Sequence, residues 1–296
     1  MLRAKKPEAV TKRLKLFMFG PAGVGKTTAA IQFPNSYIID CEKGAENYDK
    51  LITASNSVLF QTTDIHEVIQ EVKSLLTEQH DYRTLVIDPI TTIYNDLLEK
   101  CEAQVGTEWG RHYGAANKTM KRLANLIMAL DMNVVITAHA KKEYQNAATG
   151  NALAVAGQTF DGWKQLDYWF DLVVELSRGK NDRKSSKLSD PKRYAKVVKT
   201  RLEAYPDGEV FEWSYDTIRK RSDVEQLERT PHAVALATPD QVAEINALLS
   251  IVRLPENTVE KWFAKAGVDM WEDMPYDVLQ KCIDFIKNRF PNSAAA

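Results

Sequence analysis

The sequence predicts an α/β fold: a central, mostly parallel sheet with antiparallel additions, followed by a small C-terminal helical domain. Three observations carry this expectation. From residue 14 to 138, short apolar runs alternate with stretches of helical periodicity, the pattern of parallel strands joined by crossover helices. After residue 140, further strand-like runs follow one another with no long helix between them, which suits antiparallel additions. A fresh helix start at Thr238 then opens a separate helical unit.

Residues 14–19 (LKLFMF) are a short apolar run ending at Gly20, and read as a buried strand. A helix is expected from about Gly25 to Phe33, stopped by Pro34. Tyr37, Ile38 and Ile39 form the second strand, which runs into Asp40, Cys41 and Glu42. Residues 64–79 set Ile65, Val68, Ile69, Val72, Leu75 and Leu76 at helical spacing. The β-branched run Thr84-Leu85-Val86-Ile87 ends on Asp88 as a third strand, and Asn133 to Ala138 make a fourth. Between them lie helices at about 90–104 and 114–131. Residues 141–162, rich in Gly, Ala, Asn and Thr, are expected as a long loop, and such loops in compact domains are functional or mobile. Strands at 170–176, 194–200 and 209–213 complete the core.

The boundaries that follow are a basic arm over 1–13, the core over 14–221, a linker over 222–237, a helical domain over 238–291 and a tail over 292–296. Thr238 as N-cap, Pro239 at the first helical position and Gln241 complete a capping-box signature. Two more helices are expected at about 256–266 and 275–289, with Trp262, Phe263, Trp271 and Phe285 as the small core.

Of 296 residues, 44% are hydrophobic and 27% charged, which fits a globular chain rather than a disordered one. Cys41, Cys101 and Cys282 are too few and too widely spaced for a disulfide framework or a zinc motif, so a reducing cytoplasm is the expected compartment. No apolar run has the length of a membrane span, and the basic start lacks the apolar centre of a signal peptide. The net charge of −1 hides two basic stretches. Residues 1–15 carry six cations against Glu8, and residues 178–201 carry ten against Asp182 and Asp190. Such stretches attract phosphate backbones, although a solvated loop is the plainer reading of a charge run alone.

Gly20-Pro21-Ala22-Gly23-Val24-Gly25-Lys26-Thr27 matches the Walker A pattern at every required position, between a strand and a helix that Thr28 continues. Glycines let backbone N–H groups turn inward around a phosphate. Lys26 is expected on the β- and γ-phosphates and Thr27 on Mg²⁺, so ATP and Mg²⁺ are the expected cofactors. Asp88 ends a strand about sixty residues later and is the candidate Walker B acid for the Mg²⁺ shell; a helix cap is its alternative role. Hydrolysis needs a group that orients or deprotonates water. Glu42 is the leading candidate, just past a second strand expected beside the P-loop strand, and Asp40 is the alternative. His139 ends the fourth strand, either as a γ-phosphate sensor or as a hydrogen-bonded structural residue.

With these residues in order, residues 14–213 resemble the RecA/Rad51-like ATPase core, and the RecA-like P-loop fold is what the resemblance implies. The segment from Ile38 to Lys43 is similar to the stretch in which that family carries its catalytic glutamate, which gives that role to Glu42. Leu85 to Asp88 resembles its Walker B strand, and Val135 to His139 resembles its sensor strand, with His139 where bacterial recombinases have Gln. Lys196 to Arg201 resembles the strand whose two basic residues reach a neighbour's ATP, which implies trans-acting roles for Lys199 and Arg201. Residues around Gly106–Tyr113 and 140–162 resemble the two DNA-binding loops. The compact core with a small helical tail looks most like phage nucleotide-binding proteins of the Sak-type single-strand annealing group. That likeness implies single-stranded DNA and a single-strand-binding protein as partners, ATP at the interfaces of a homo-oligomer, and a bacterial host cytoplasm.

Candidate DNA contacts are Trp109, Arg111, His112 and Tyr113 in one glycine-flanked loop, and Lys141, Lys142 and Tyr144 in the long loop. The function expected from all this is a DNA-dependent ATPase that promotes annealing or strand exchange. Two alternatives stand beside it: a RecA-core motor such as a helicase or packaging ATPase, and a nucleotide-gated loader with little turnover.

Overall fold

The computed structural model describes residues 12–146, 153–179 and 192–290. Its centre is a nine-stranded sheet. The strands are β1 (Lys15–Gly20), β2 (Ser36–Asp40), β3 (Val58–Gln61), β4 (Thr84–Asp88), β5 (Asn133–Asn146), β6 (Leu153–Phe160), β7 (Leu172–Arg178), β8 (Arg193–Thr200) and β9 (Val210–Glu212). Their order is β3-β2-β4-β5-β1-β7-β8-β9, with β6 paired to β5 alone. The run from β3 to β7 is parallel, and β8 and β9 add antiparallel to it.

Both faces of this sheet are covered, which is why its central strands read as unbroken apolar runs. Phe17 and Phe19 of β1 face helices α3 (Ile65–Thr77), α4 (Ile90–Val105) and α5 (Arg111–Ala129). Leu16 and Met18 face the opposite layer, with α1 (Lys26–Ala30), α2 (Asp49–Ala54), α6 (Tyr215–Arg221) and α7 (Val224–Glu228). The predicted α3 is formed, capped by Asp64 through His66 N at 2.7 Å.

Several expectations change. The first helix stops at Ala30, short of Phe33, because Pro34 disfavours helical backbone in the residue before it and the buried Phe33 begins the turn into β2. The strand β3 and the helix α2 were not foreseen; β3 is four residues long and only half buried, so it leaves no apolar run. His112 and Tyr113 lie in the first turn of α5 rather than in a loop. The expected long loop at 141–162 is largely a β-hairpin of β5 and β6, with residues 147–152 outside the described residues. Residues 141–162, rich in Gly, Ala, Asn and Thr, lack the clean apolar alternation that marks a half-buried strand. The second strand does not flank the P-loop strand: β4 and β5 lie between β2 and β1.

Residues 222–237, expected as a linker, run along the core. Leu227 is buried, its carbonyl accepts from Asn133 Nδ2 at 2.7 Å, and Val234 N donates to Leu76 O at 2.8 Å. Asp131, just after α5, gathers Arg13, Arg229 and His232 around one carboxylate. The C-terminal helices are α8 (Pro239–Ile251), α9 (Thr258–Ala266) and α10 (Tyr276–Arg289), and the capping box of Thr238 and Gln241 is formed as read. Ile245, Leu248, Trp271, Met274 and Ile283 make their core, with Trp262 and Phe263 packed on it and Phe285 half exposed. This unit is fastened to the core by the buried Asp273, which accepts from Lys73 Nζ at 3.0 Å and from Arg122 Nε at 2.7 Å. Among the described residues, no helix is long and apolar enough to cross a membrane.

Burial alone would raise the pKa of Asp131, but hydrogen bonds from Arg229, His232 and Arg13 outweigh it and hold the carboxyl well below the usual range. A carboxyl depressed by folding contributes stability that is present above its unfolded pKa of about 4 and is lost as the pH falls through the folded value. Asp131→Asn should therefore cost about 1–2 kcal/mol near neutral pH, the site being partly exposed. In urea titrations the gap between parent and variant should narrow as the pH drops below about 4. A gap that does not change with pH would remove the ion cluster from the account.

Candidate active site

The site is built at the carboxyl edge of the parallel strands, from the residues that end β1, β2 and β4 and those at the same level within β5. Gly20 closes β1 where the chain passes the neighbouring β7: a methyl group there would lie 2.8 Å from Leu176 O. Pro21, Ala22 and Gly23 are exposed, and buried Val24 pins the loop to the core. Gly25 holds φ 96°, in the left-handed region that favours glycine, and turns the chain into α1. Lys26 Nζ donates to Gly20 O at 3.0 Å and Pro21 O at 3.2 Å, so its ammonium curls back over the loop. Burial lowers the Lys26 pKa, and the carboxylates of Asp88 and Glu42 act against that lowering. Thr28 Oγ1 hydrogen bonds to Tyr48 Oη at 3.2 Å.

Asp88 is buried at the end of β4, two strands away from β1. Thr27 Oγ1 donates to its Oδ2 at 2.5 Å, and Thr137 Oγ1, on the intervening β5, donates to its Oδ1. Burial pushes the Asp88 carboxyl up; the two hydroxyl bonds oppose this, and nearby Asp40 adds to it. A carboxylate so placed gains from a cation. Mg²⁺ takes oxygen ligands and keeps several waters instead of demanding a protein cage. The residues fit it: Thr27 supplies a hydroxyl and Asp88 a carboxylate at one point beside the loop. Among the described residues, no cluster of three or more His, Cys, Asp or Glu side chains offers a metal cage.

Asp40 and Glu42 have different surroundings. The Asp40 carboxylate is buried and accepts from Glu42 N and Gly44 N at 3.2 Å and from Ala45 N at 3.0 Å, so it shapes the loop after β2. Glu42 is exposed. Its Oε1 accepts from Thr92 Oγ1 at 2.7 Å and lies 3.2 Å from His139 Nε2. His139 N in turn donates to Thr91 Oγ1 at 3.0 Å, and that hydroxyl donates to Asp161 O at 2.7 Å, at the base of the hairpin.

Lys199 and Arg201 stand at the other edge of the sheet. Because β8 is antiparallel to β7, its end lies beside the start of β7 and away from the P-loop. Lys199 Nζ donates to Asp167 O at 2.5 Å and Phe170 O at 3.0 Å, and Arg201 donates to Tyr168 O at 2.7 Å. Trp109 is 96% exposed on a tight turn before α5 and has φ 55°, a left-handed backbone that bulky residues rarely adopt. Arg111 is exposed, and the rings of His112 and Tyr113 lie 4.1 Å apart. Lys100, late in α4, pairs with Asp64 at the start of α3 at 2.8 Å. Lys141 pairs with Asp161 at 3.0 Å, Lys142 is exposed, and Tyr144 follows on β5 opposite Val155. Much of the basic stretch at 178–201, residues 180–191, lies outside the described residues.

Sequence reasoning missed Thr137 and Thr92. A threonine inside the apolar run Val134–Ala138 was the available signal for the first; nothing local marks the second.

No curated protein matches the chain. A family model described as an AAA domain matches residues 12–203, about two thirds of the sequence, from the residues just before β1 to those just after β8. The matched segment contains the P-loop, Glu42, Asp88, Thr137 and His139. With its loop, its strand-end acid and its central parallel sheet in that arrangement, the chain belongs to the AAA domain family and carries a P-loop ATPase domain.

Proposed function

We propose that the protein is a DNA-dependent ATPase that binds single-stranded DNA as an oligomer and promotes annealing or strand exchange in homologous recombination. This is the activity of the RecA/Rad51-like and Sak-type proteins it resembles. One observation supports it above the others: Glu42, beside the P-loop, touches His139, the residue from which the hairpin bearing Lys141 and Lys142 departs. Nucleotide chemistry and a cationic projection thus share one residue pair.

In this reading, Glu42 takes a proton from water as the water oxygen bonds to the γ-phosphorus. The bond from that phosphorus to the β–γ bridging oxygen breaks, leaving ADP and phosphate. Lys26 holds the phosphate oxygens, and Mg²⁺, when bound between Thr27 and Asp88, neutralises their charge. Lys199 and Arg201 face away from their own P-loop, so a role on phosphate belongs to a neighbour's nucleotide and requires them to leave their present carbonyls. Trp109 offers a stacking surface for a base.

A second reading also has an observation in its favour. Oε1 of Glu42 is engaged by both Thr92 and His139, an arrangement that occupies one oxygen of the candidate base and suits a nucleotide-gated binding protein with slow turnover.

The test is ATP hydrolysis with and without single-stranded DNA over a series of protein concentrations. DNA should stimulate turnover, which should rise more steeply than protein concentration, and Lys26→Ala should abolish it. Turnover indifferent to DNA and strictly proportional to protein would end the proposal. Glu42→Gln should lower turnover about 100-fold or more while ATP binding persists; unchanged turnover would take Glu42 out of the base role. Trp109→Ala should weaken single-stranded DNA binding by about 1–3 kcal/mol in fluorescence anisotropy with ATP affinity preserved. Equal DNA affinity would take Trp109 out of the interface.

A further inference from the structure

The strand β8 has two ends, and the cations read from sequence lie at the wrong one to meet their own P-loop. Its first residue, Arg193, lies at the right one. Arg193 pairs in register with Arg178, at the carboxyl end of β7, and β7 runs parallel to β1. Its guanidinium comes to rest against the P-loop: a methyl group on Gly25 would lie 2.1 Å from Arg193 Nε and 2.9 Å from Cζ and Nη2. A side chain at position 25 would displace this guanidinium from where it lies, so the absence of one at Gly25 lets the cation sit against the loop.

Three further facts bear on what Arg193 does there. It is only 8% exposed, and an arginine stays charged when buried. Its backbone is held on both sides, by the β7 pairing and by Trp213 N donating to Arg193 O at 2.8 Å. The loop it touches has the Walker A sequence, and in such loops the N–H groups and the lysine close on a phosphate.

We propose that Arg193 is a phosphate-binding residue of its own chain, a second cation that grips the polyphosphate of the nucleotide beside Lys26. The proposal rests on the ATP reading of the P-loop. A planar guanidinium bonds two phosphate oxygens at once, which a lysine does not. Substitution should therefore weaken every ligand that carries the polyphosphate, nucleobase or no nucleobase. Arg193 and the pair Lys199 and Arg201 then divide one strand between two nucleotides: the first residue serves the chain's own, and the last serve a neighbour's.

The experiment compares parent, Arg193→Gln and Arg193→Lys in the full-length protein. A fluorescent ATP analogue is bound with Mg²⁺ at low and high salt, then displaced with inorganic tripolyphosphate, and thermal midpoints are recorded without ligand. Arg193→Gln should weaken both the analogue and tripolyphosphate about 10- to 100-fold and flatten the salt dependence, and Arg193→Lys should recover part of the affinity. The ligand-free midpoint should stay near the parent's. Parent-like affinity in Arg193→Gln would overturn the proposal. So would an affinity loss shared equally by Arg193→Lys and matched by a lowered ligand-free midpoint, which marks a packing strut. If the parent itself binds neither ligand, the P-loop reading fails and takes the proposal with it; binding by the parent that Lys26→Ala abolishes and Arg193→Gln spares sinks the Arg193 role alone.

Discussion

A carboxylate buried at the end of a strand must find donors, and Asp88 finds them on two other elements. Thr27 reaches it from the start of α1 and Thr137 from β5. Those two bonds tie the loop after β1 to a strand two places away, across the strand that separates them. They also fix what can vary nearby. Because β5 stands between β4 and β1, its residue at the level of Asp88 must be small and must donate; threonine satisfies both within an otherwise apolar strand. The residue two places later on β5 is His139, so the register that satisfies Asp88 also sets His139 against Glu42. The residues at the carboxyl edge are in this sense placed by one strand register and not by a set of independent loops.

What could be read from the sequence follows from how locally each feature is encoded. The strands β1 and β4 and the first part of β5 were legible because covering both faces makes their central residues predominantly apolar. The P-loop was legible because its spacing is a local demand of phosphate geometry. The hairpin was not, since residues 141–162, rich in Gly, Ala, Asn and Thr, read as a loop, and neither was β3, which is short and half buried. Within the site, the choice between Asp40 and Glu42 stood open in the sequence because both are acids at the end of one strand. Backbone geometry separates them: three N–H groups close on Asp40 and leave Glu42 free to turn toward Thr92 and His139. Thr92 and Thr137 act on partners 50 and 49 residues away, a separation that only the folded sheet closes.

Strand direction matters as much as residue type. The basic run ending at Arg201 suggested a single electrostatic patch, yet an antiparallel strand delivers its two ends to opposite edges of the sheet. Lys199 and Arg201 bond carbonyls of the 166–170 turn at one edge, and Arg193 meets the P-loop at the other. Charge counted along the chain is blind to this reversal.

The helix α5 joins two regions that look separate in the sequence. Its first turn carries Arg111, His112 and Tyr113, and its later turns present Lys121 and Arg122 to Asp269 and Asp273 of the C-terminal unit. Nineteen helical residues span about 28 Å. One continuous helix therefore carries the aromatic residues His112 and Tyr113 at its start and, along its flank, the cations that clasp the C-terminal unit, so the two regions share a single rigid support.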